Sequence, residues 1–265
     1  MLRPRASHDL RLIETALSFS PPASVSWAYD VFGNSVAMAS FSGSASALMI
    51  ESRIKLELFA NAWPVFEITP RACTYPFDYS EDDRTDLGAM HIPQYPDPEG
   101  HLRAWSLAFV RGAVTDTLSL LKDLNDGIIS QISYQVRDDE GTQSPLQTLN
   151  RRIGSCRDLA VLMIEAARHL GFGARVVSGY LYSPALESKN GMMQGATHAW
   201  VEIFLPGAGW IAFDPTNRKF GGFNLIPVAV ARGIRQAVPI SGSFVGNSDD
   251  FIGMSVAVTV SHLAE

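Results

Sequence analysis

The spacing of apolar residues changes twice along this chain, and this change limits what the chain can fold into. Near the start, Ile54, Leu56 and Leu58 fall on one parity while charged residues fall on the other. From about residue 116 to residue 170 the apolar spacing becomes three or four, and from residue 175 onward it returns to two. The sequence therefore predicts a β-rich N-terminal part, followed by helices and then by further strands.

The β-rich part contains a clear hairpin signal. Val25, Trp27 and Tyr29 alternate with small or polar residues, the Asp-Val-Phe-Gly-Asn segment of residues 30–34 is a turn signal, and the alternation resumes afterwards. Residues 1–75 are predicted to form an antiparallel β-sandwich-like domain with one dry and one wet face. Residues 76–100 carry several prolines and a charged run, so they are predicted to be a linker.

Residues 101–225 are predicted to form the core. A helix is expected over residues 116–132, and a second, short helix starts at Ser144-Pro145 and runs to Leu149. A third helix covers residues 156–170 and stops at Gly171, where a left-handed C-cap is expected. Strands are predicted over residues 175–182, 197–205 and 210–214. Residues 226–265 are predicted to be a C-terminal β segment, with a last strand over residues 254–260, that packs back on the preceding domains.

Composition excludes several classes of function. The chain has 265 residues, a formal net charge of -6, and two cysteines. The charge offers nothing to a phosphate backbone, so no nucleic acid partner is expected. No apolar run reaches the about 18 residues of a membrane span, and the charged first residues do not form a signal peptide. Two cysteines cannot build a disulfide framework. These observations together predict a cytoplasmic protein without a membrane partner.

Cys156 stands where a cysteine becomes reactive. Ser155 and Asp158 have the spacing of a capping box, which places Cys156 in the first turn of the third predicted helix. The unpaired N–H groups and the helix dipole there favour a thiolate. Because Leu159 and Met163 lie on the same helical stripe, Cys156 is expected to point into the domain. The alternative is an ordinary buried, inert cysteine. Cys73 lies in a proline-flanked segment and is interpreted as structural or incidental.

His198 and Asp214 lie on two strands of a predicted hairpin. In the strand of residues 197–205, the face without His198 is wholly aliphatic and is therefore expected to face the core. If the glycine-rich turn pairs Leu205 with Gly209, Asp214 opposes Trp200 and His198 is its diagonal neighbour. A hydrogen bond between His198 and Asp214 is then within reach. A four-residue loop would instead require a bulge to keep the two on one face.

These three side chains suit nucleophilic catalysis. Cys156 would attack a carbonyl carbon, His198 would hold and return the proton, and Asp214 would orient the ring. The backbone N–H of Cys156 is a natural oxyanion donor, while the second donor is not identified. Trp200 is a candidate binding residue that either shields the pair from water or simply packs in the core. The five other histidines lack ligand spacing, so no metal site is expected.

Together these segments resemble the transglutaminase-like core of bacterial transglutaminase-like cysteine proteases. The resemblance rests on four stretches: residues 152–160 around Cys156, residues 171–180, His198-Ala-Trp-Val-Glu202, and Gly209-Trp210 with Phe213-Asp-Pro-Thr-Asn217. The N-terminal part is similar to the β-rich domain that accompanies this core in bacteria, including the motif of residues 30–34. Family members usually carry a further β-hairpin before the stretch that is here Leu2 to Arg5, and two acidic residues where Gly233 and Gln236 stand.

The resemblance implies a papain-like α+β core with catalytic Cys156, His198 and Asp214. It implies acyl transfer on amide bonds of a protein or peptide substrate, without a metal or cofactor. Hydrolysis is the leading interpretation. Transfer from glutamine to an amine proceeds through the same thioester and stays open, because exclusion of water depends on loop shape. An arylamine N-acetyltransferase is disfavoured by the surroundings of His198 and Asp214. A non-catalytic binding module on the same core is the alternative from another class.

Overall fold

The N-terminal part of the chain forms two antiparallel strand pairs in a computed structural model that describes residues 1–136, 141–182, 193–194 and 196–261. Strand β1 (Leu10–Ser20) pairs with β4 (Met49–Leu58), and β2 (Ser24–Tyr29) pairs with β3 (Ser35–Ser40). The predicted hairpin is confirmed, with Tyr29 opposite Ser35 across the turn. Its large apolar side chains stay exposed, Trp27 by 52%, because each sheet has only two strands and covers little area.

The connection to the core is more ordered than a linker. It contains a 3-10 helix (Pro70–Ala72), β5 (Thr74–Tyr75), α1 (Glu81–Leu87), a second 3-10 helix (Gly88–His91), α2 (His101–Leu107) and β6 (Thr115–Asp116), which pairs with β5. The predicted irregular segment therefore includes a helix. Ser80 caps α1 by accepting a hydrogen bond from the N–H of Asp83. Only Leu87 of this helix is buried, so the sequence of α1 has no apolar periodicity that would predict a helix.

The predicted core helices are confirmed within about two residues. They are α3 (Thr117–Gln131), capped by Asp116, α4 (Pro145–Arg151), capped by Ser144, and α5 (Cys156–His169), which is followed by Gly171 at φ +90°. Two short strands between them, β7 (Ser133–Tyr134) and β8 (Ile153–Gly154), pair in parallel. This pairing joins the end of α3 to the start of α5.

A five-stranded antiparallel sheet receives these helices. Its strands are β9 (Ala174–Leu181), β11 (Ala196–Leu205), β12 (Gly209–Asp214), β13 (Lys219–Phe220) and β14 (Leu225–Ala231), in the order β13-β12-β11-β9-β14. A further short strand in this region is β10 (Met193–Gln194). The aliphatic face of β11 packs with α5 in the main core, as predicted, and Ala199, Val201, Ile203 and Leu205 are all buried.

The C-terminal segment differs from the prediction. Two 3-10 helices (Ile234–Ala237 and Ser248–Asp250) follow β14, and the last strand is only β15 (Thr259–Val260), paired with β10. The strand predicted over residues 254–260 is thus too long. Met254 and Val256 are exposed, because the segment finds no sheet on which its alternating apolar residues could pack. Among the described residues, no helix combines the length and the apolar character that crossing a bilayer requires.

Candidate active site

Cys156 is the first residue of α5, and a buried carboxylate fixes the helix start. Asp158 accepts hydrogen bonds from the N–H of Ser155 (2.8 Å), the hydroxyl of Ser155 (2.9 Å) and the N–H of Gln143 (2.7 Å). Asp158 therefore makes its half of the predicted capping box, while the Ser155 hydroxyl donates to the carboxylate. A carboxylate in the first turn also complements the helix dipole. The start of α5 is held rigidly, and Cys156 with it.

The surroundings of Cys156 favour its thiolate. Burial opposes ionisation, but a hydrogen bond with His198, the charge of His198 and the backbone N–H of Ala199 outweigh it and lower the pKa of the thiol. The side chain is only partly buried, so a reactant can reach the sulfur. A partly buried cysteine with a lowered pKa at a helix start has the properties of a nucleophile.

His198 links the sulfur to a carboxylate. Its Nε2 lies 2.9 Å from Oδ2 of Asp214, which leaves Nδ1 for the hydrogen bond with Cys156. Burial disfavours the charged ring, but the bonds and charges of Asp214 and Cys156 raise the pKa of His198 to about 9. The imidazolium is thus the form expected at neutral pH, paired with the thiolate.

Asp214 is held by the turn that follows β12. Its Oδ1 accepts from the N–H groups of Thr216 (3.1 Å) and Asn217 (3.3 Å), and its Oδ2 accepts from Nδ2 of Asn217 (2.7 Å). The predicted strand register is confirmed, because Leu205 pairs with Gly209 across the turn. The structure therefore brings Cys156, His198 and Asp214 together, as the sequence analysis expected.

Trp200 lies beside His198 but does not face solvent. Its indole stacks on the imidazole, with ring centroids 6.1 Å apart and planes 27° apart, and only 1% of the residue is exposed. A substrate contact would require an exposed face, whereas shielding of the His198 ring from water requires burial. The geometry fits the shielding role that the sequence analysis considered for this candidate binding residue.

Tyr134 is a residue of the site that the sequence analysis did not identify. Tyr134 is the last residue of β7 and pairs with Gly154, which lies two residues before the first residue of α5. The Tyr134 residue is 48% exposed. Burial, followed by the charges of Cys156 and Asp214, raises the pKa of Tyr134, so its hydroxyl stays protonated and able to donate at neutral pH. A strand of two residues has no apolar period, so the sequence offered no signal for Tyr134.

The remaining sequence candidates lie outside this cluster. The Cys73 sulfur is 3.6 Å from the carbonyl oxygens of Ile68 and Thr69, as expected for a structural cysteine. The N–H of Gly233 donates to Oε1 of Gln236 within a tight turn (3.1 Å). Within the described ranges, no group of three His, Cys, Asp or Glu side chains could hold a metal ion.

A thiol at a helix start facing a His and an Asp on neighbouring strands defines a papain-like, transglutaminase-like class of α+β protein. Comparison with known protein families places the chain more narrowly within that class. Residues 103–215 match the transglutaminase-like superfamily, and residues 1–57 match the bacterial transglutaminase-like N-terminal region. The chain carries a transglutaminase-like core behind that N-terminal region, which confirms the resemblance seen in the sequence.

Individual relatives cover parts of the chain. An uncharacterized protein of Mycobacterium tuberculosis is 30% identical over 148 residues, which are 54% of this chain and 47% of the relative. A protein-glutamine gamma-glutamyltransferase of Pseudomonas aeruginosa is 30% identical over 99 residues, 37% of this chain and 14% of that protein. The match thus spans about half the length of the mycobacterial relative and a smaller share of the Pseudomonas protein.

Among solved structures, a candidate cysteine protease from Cytophaga hutchinsonii has a similar fold. It aligns with a TM-score of 0.65 at 18% identity, covering 89% of this chain and 76% of that chain. At this identity the likeness concerns the fold alone, and it confirms the predicted α+β class.

Proposed function

We propose that this chain is a cysteine hydrolase that cleaves amide bonds of a protein or peptide substrate through a thioester on Cys156. The observation that carries the proposal is the connected set of Cys156, His198 and Asp214. A lowered thiol pKa, a raised imidazole pKa and a carboxylate on the far ring nitrogen are the conditions for a thiolate–imidazolium pair.

The proposed reaction has two halves. The Cys156 sulfur bonds to the carbonyl carbon, the C–N bond breaks, and the imidazolium of His198 gives its proton to the departing amine. Water then attacks the thioester, His198 takes a proton from that water, and the acid leaves as the C–S bond breaks. Asp214 keeps its proton-free form throughout and stabilises the charged ring.

Charge on the substrate oxygen needs donors. The N–H of Cys156, at the start of α5, supplies one. The Tyr134 hydroxyl feels the charges of Cys156 and Asp214, and Tyr134 pairs with Gly154 just before α5, which supports this hydroxyl as the second donor. Each step in this scheme uses a side chain or backbone group of the chain itself.

Transamidation is the second candidate. The similarity to a protein-glutamine gamma-glutamyltransferase favours it, and the same thioester would form from a glutamine side chain. An amine would then replace water as the second nucleophile.

The test combines a peptide library, glutamine-containing peptides and cadaverine, followed over time by mass spectrometry for the wild type and for Cys156→Ala. Cleaved or deamidated peptides that vanish in the variant support the hydrolase. Cadaverine conjugates that vanish in the variant support the transamidase instead. Absence of both, together with Cys156 alkylation by iodoacetamide at pH 6 that is no faster than that of Cys73, contradicts both and leaves a binding module.

A further inference from the structure

The turn between β2 and β3 is a rigid unit that belongs to the N-terminal part of the chain. Oδ1 of Asp30 accepts hydrogen bonds from the N–H of Phe32 (2.9 Å) and the N–H of Asn34 (2.8 Å), and Oδ2 accepts from Nδ2 of Asn34 (2.8 Å). Gly33 adopts φ +72°, a conformation that glycine allows at little cost. The turn of residues 30–34 is therefore preorganised, with Phe32 and Asn34 held in fixed positions.

Asn34 attaches this turn to the edge strand of the catalytic sheet. Its amide Nδ2 donates to the carbonyl of Val230 (2.7 Å), and its Oδ1 accepts from the N–H of Val230 (2.9 Å). The Asn34 amide thus makes the pair of hydrogen bonds with Val230 that the backbone of an adjacent strand would make with β14. Arg5 reinforces the contact, since its N–H donates to the carbonyl of Pro227 and its guanidinium donates to Oδ1 of Asn34, both at 2.8 Å. Asn34 is fully buried, so this attachment excludes water.

Phe32 packs against a small apolar cluster that includes Trp200, the residue stacked on His198. The cluster consists of Val177, Trp200, Leu225 and Val230, and Phe32 packs against it. Trp200 in turn stacks on the His198 ring. Gly179 leaves room for the indole, because a Cβ there would lie 2.8 Å from Cη2 of Trp200. The packing therefore runs from the N-terminal turn, through the apolar cluster that contains Trp200, to the His198 ring.

We propose that the turn of residues 30–34 positions His198: Asn34 fixes the turn to β14, and Phe32 holds Trp200 against the imidazole. The inference rests on the proposed function, because it gives the N-terminal part a task in the chemistry of Cys156. Without Phe32 the indole gains space, the imidazole loses its stacking partner, and water reaches the Cys156–His198 pair. Phe32 and Asn34 are thus positioning residues, since neither is placed on the reacting atoms.

The charges around this contact argue for a geometric effect. The charged groups that set the state of the ring are Asp214 on β12 and Cys156 on α5. Near the turn, the Asp30 carboxylate accepts hydrogen bonds from within the turn. The Arg5 guanidinium donates to the carbonyl of Phe32 (3.0 Å) and to Oδ1 of Asn34. Arg175 and Glu202 lie near Arg5 and pair with each other at 2.7 Å. Phe32 itself brings no charge, so its removal changes packing and water access.

The test is the pH profile of Cys156 alkylation by iodoacetamide, read by peptide mass spectrometry with Cys73 as an internal reference. We expect Phe32→Ala to slow Cys156 at pH 6 by about 10-fold or more, while the rate at pH 10 stays within about threefold, because at high pH the thiol ionises without help from His198. Phe32→Leu, which keeps an apolar side chain, should restore most of the rate at pH 6. Phe19→Ala makes the same change elsewhere in the N-terminal part, where Phe19 packs on Phe41, and should leave the profile unchanged.

The outcomes separate this inference from the proposed function. A wild-type Cys156 that reacts at pH 6 no faster than Cys73 overturns the inference, and it removes the proposed function as well when the peptide experiment also shows no turnover. A fast wild type together with an unchanged profile in folded Phe32→Ala overturns the inference alone. Equal slowing of Phe32→Ala at both pH values also overturns it, because loss of positioning acts only where His198 is needed to form the thiolate.

Discussion

Nε2 of His198 and Oδ2 of Asp214 lie 2.9 Å apart, although the two residues do not face each other in the strand register. The pairing of β11 and β12 ends at Val201 and Phe213, so Asp214 continues the ladder toward Trp200. The hydrogen bond is therefore diagonal across the hairpin. Its consequence is that one ring nitrogen is occupied by the carboxylate while the other faces Cys156.

The exchange Asp214→Asn should reduce amide hydrolysis by about 10³- to 10⁴-fold. The Asp214 carboxylate accepts hydrogen bonds on both oxygens from four donors, whereas an amide has a single oxygen to accept them. With its oxygen toward the N–H groups of Thr216 and Asn217, its NH₂ would meet the ring N–H of His198 and Nδ2 of Asn217. Turnover of the peptide found in the library experiment is the measurement. Asp82→Asn, which neutralises a carboxylate in the first turn of α1, is the matched control. Equal turnover in Asp214→Asn and the wild type would remove Asp214 from the mechanism.

Alkylation of Cys156 should depend weakly on pH over the neutral range. Because the pKa of Cys156 is lowered and that of His198 is raised to about 9, the thiolate–imidazolium pair exists between the lowered pKa of the thiol and about pH 9, above which the ring loses its proton. In His198→Ala the thiol loses its partner, and the alkylation rate at pH 6 should fall by about 10²-fold. His8→Ala, at an exposed histidine, is the control. A wild-type rate that rises steadily with pH, as for a free thiol, would contradict the pair.

Arg168 should contribute strongly to the stability of the fold. Its side chain is fully buried, pairs with Glu165 at 2.8 Å, and donates to the carbonyls of Met90, Ala174 and Arg232. Arg168→Met should lower the free energy of unfolding by about 3–5 kcal/mol, because it leaves the buried Glu165 carboxylate without its counter-charge and the three carbonyls without the guanidinium donor. Urea unfolding measures this loss.

The comparison variant for Arg168 is Arg53→Met, which breaks an exposed ion pair with Glu51. Exposed ion pairs contribute little because solvent and salt screen them, so this variant should unfold almost as the wild type does. Similar losses in both variants would mean that burial of the Arg168–Glu165 pair has no energetic importance.

Gly179→Ala should destabilise the sheet. A Cβ at Gly179 would lie 2.1 Å from the carbonyl oxygen of Ile226, a backbone atom that cannot move without disturbing β14. We expect a loss of about 3 kcal/mol in the free energy of unfolding, measured by urea denaturation. Gly222→Ala is matched, because a Cβ at Gly222 meets nothing within 4 Å, and it should change stability little. If the two variants are equally stable, the close approach of β14 to β9 is not a constraint.

Local patterns were sufficient to predict the elements that carry Cys156, His198 and Asp214. Ser155 and Asp158 mark a helix start, Gly171 marks its end, and the glycine-rich turn after Leu205 fixes a register that puts His198 and Asp214 on one face. These signals depend on residues a few positions apart. The interactions that they encode form locally, so the sequence reports them directly.

Other features depend on contacts between distant segments. Helix α1 has a single buried residue, and the segment predicted as a strand before β15 finds no sheet to join. Tyr134 reaches the site only because β7 pairs with β8 across the intervening helix. None of these has a periodic signature, since their burial is decided by elements far away in the chain.

The sequence by itself determined the nucleophile helix, the strands of His198 and Asp214, and the two-part organisation, because short-range spacing governs them. The tertiary structure alone decided what surrounds them. It brought Tyr134 within electrostatic range of Cys156, buried Trp200 against His198, and joined Asn34 to Val230 across 196 positions of sequence. Such contacts arise from side-chain packing between elements, which linear spacing does not record, because many distant residues can satisfy the same local pattern.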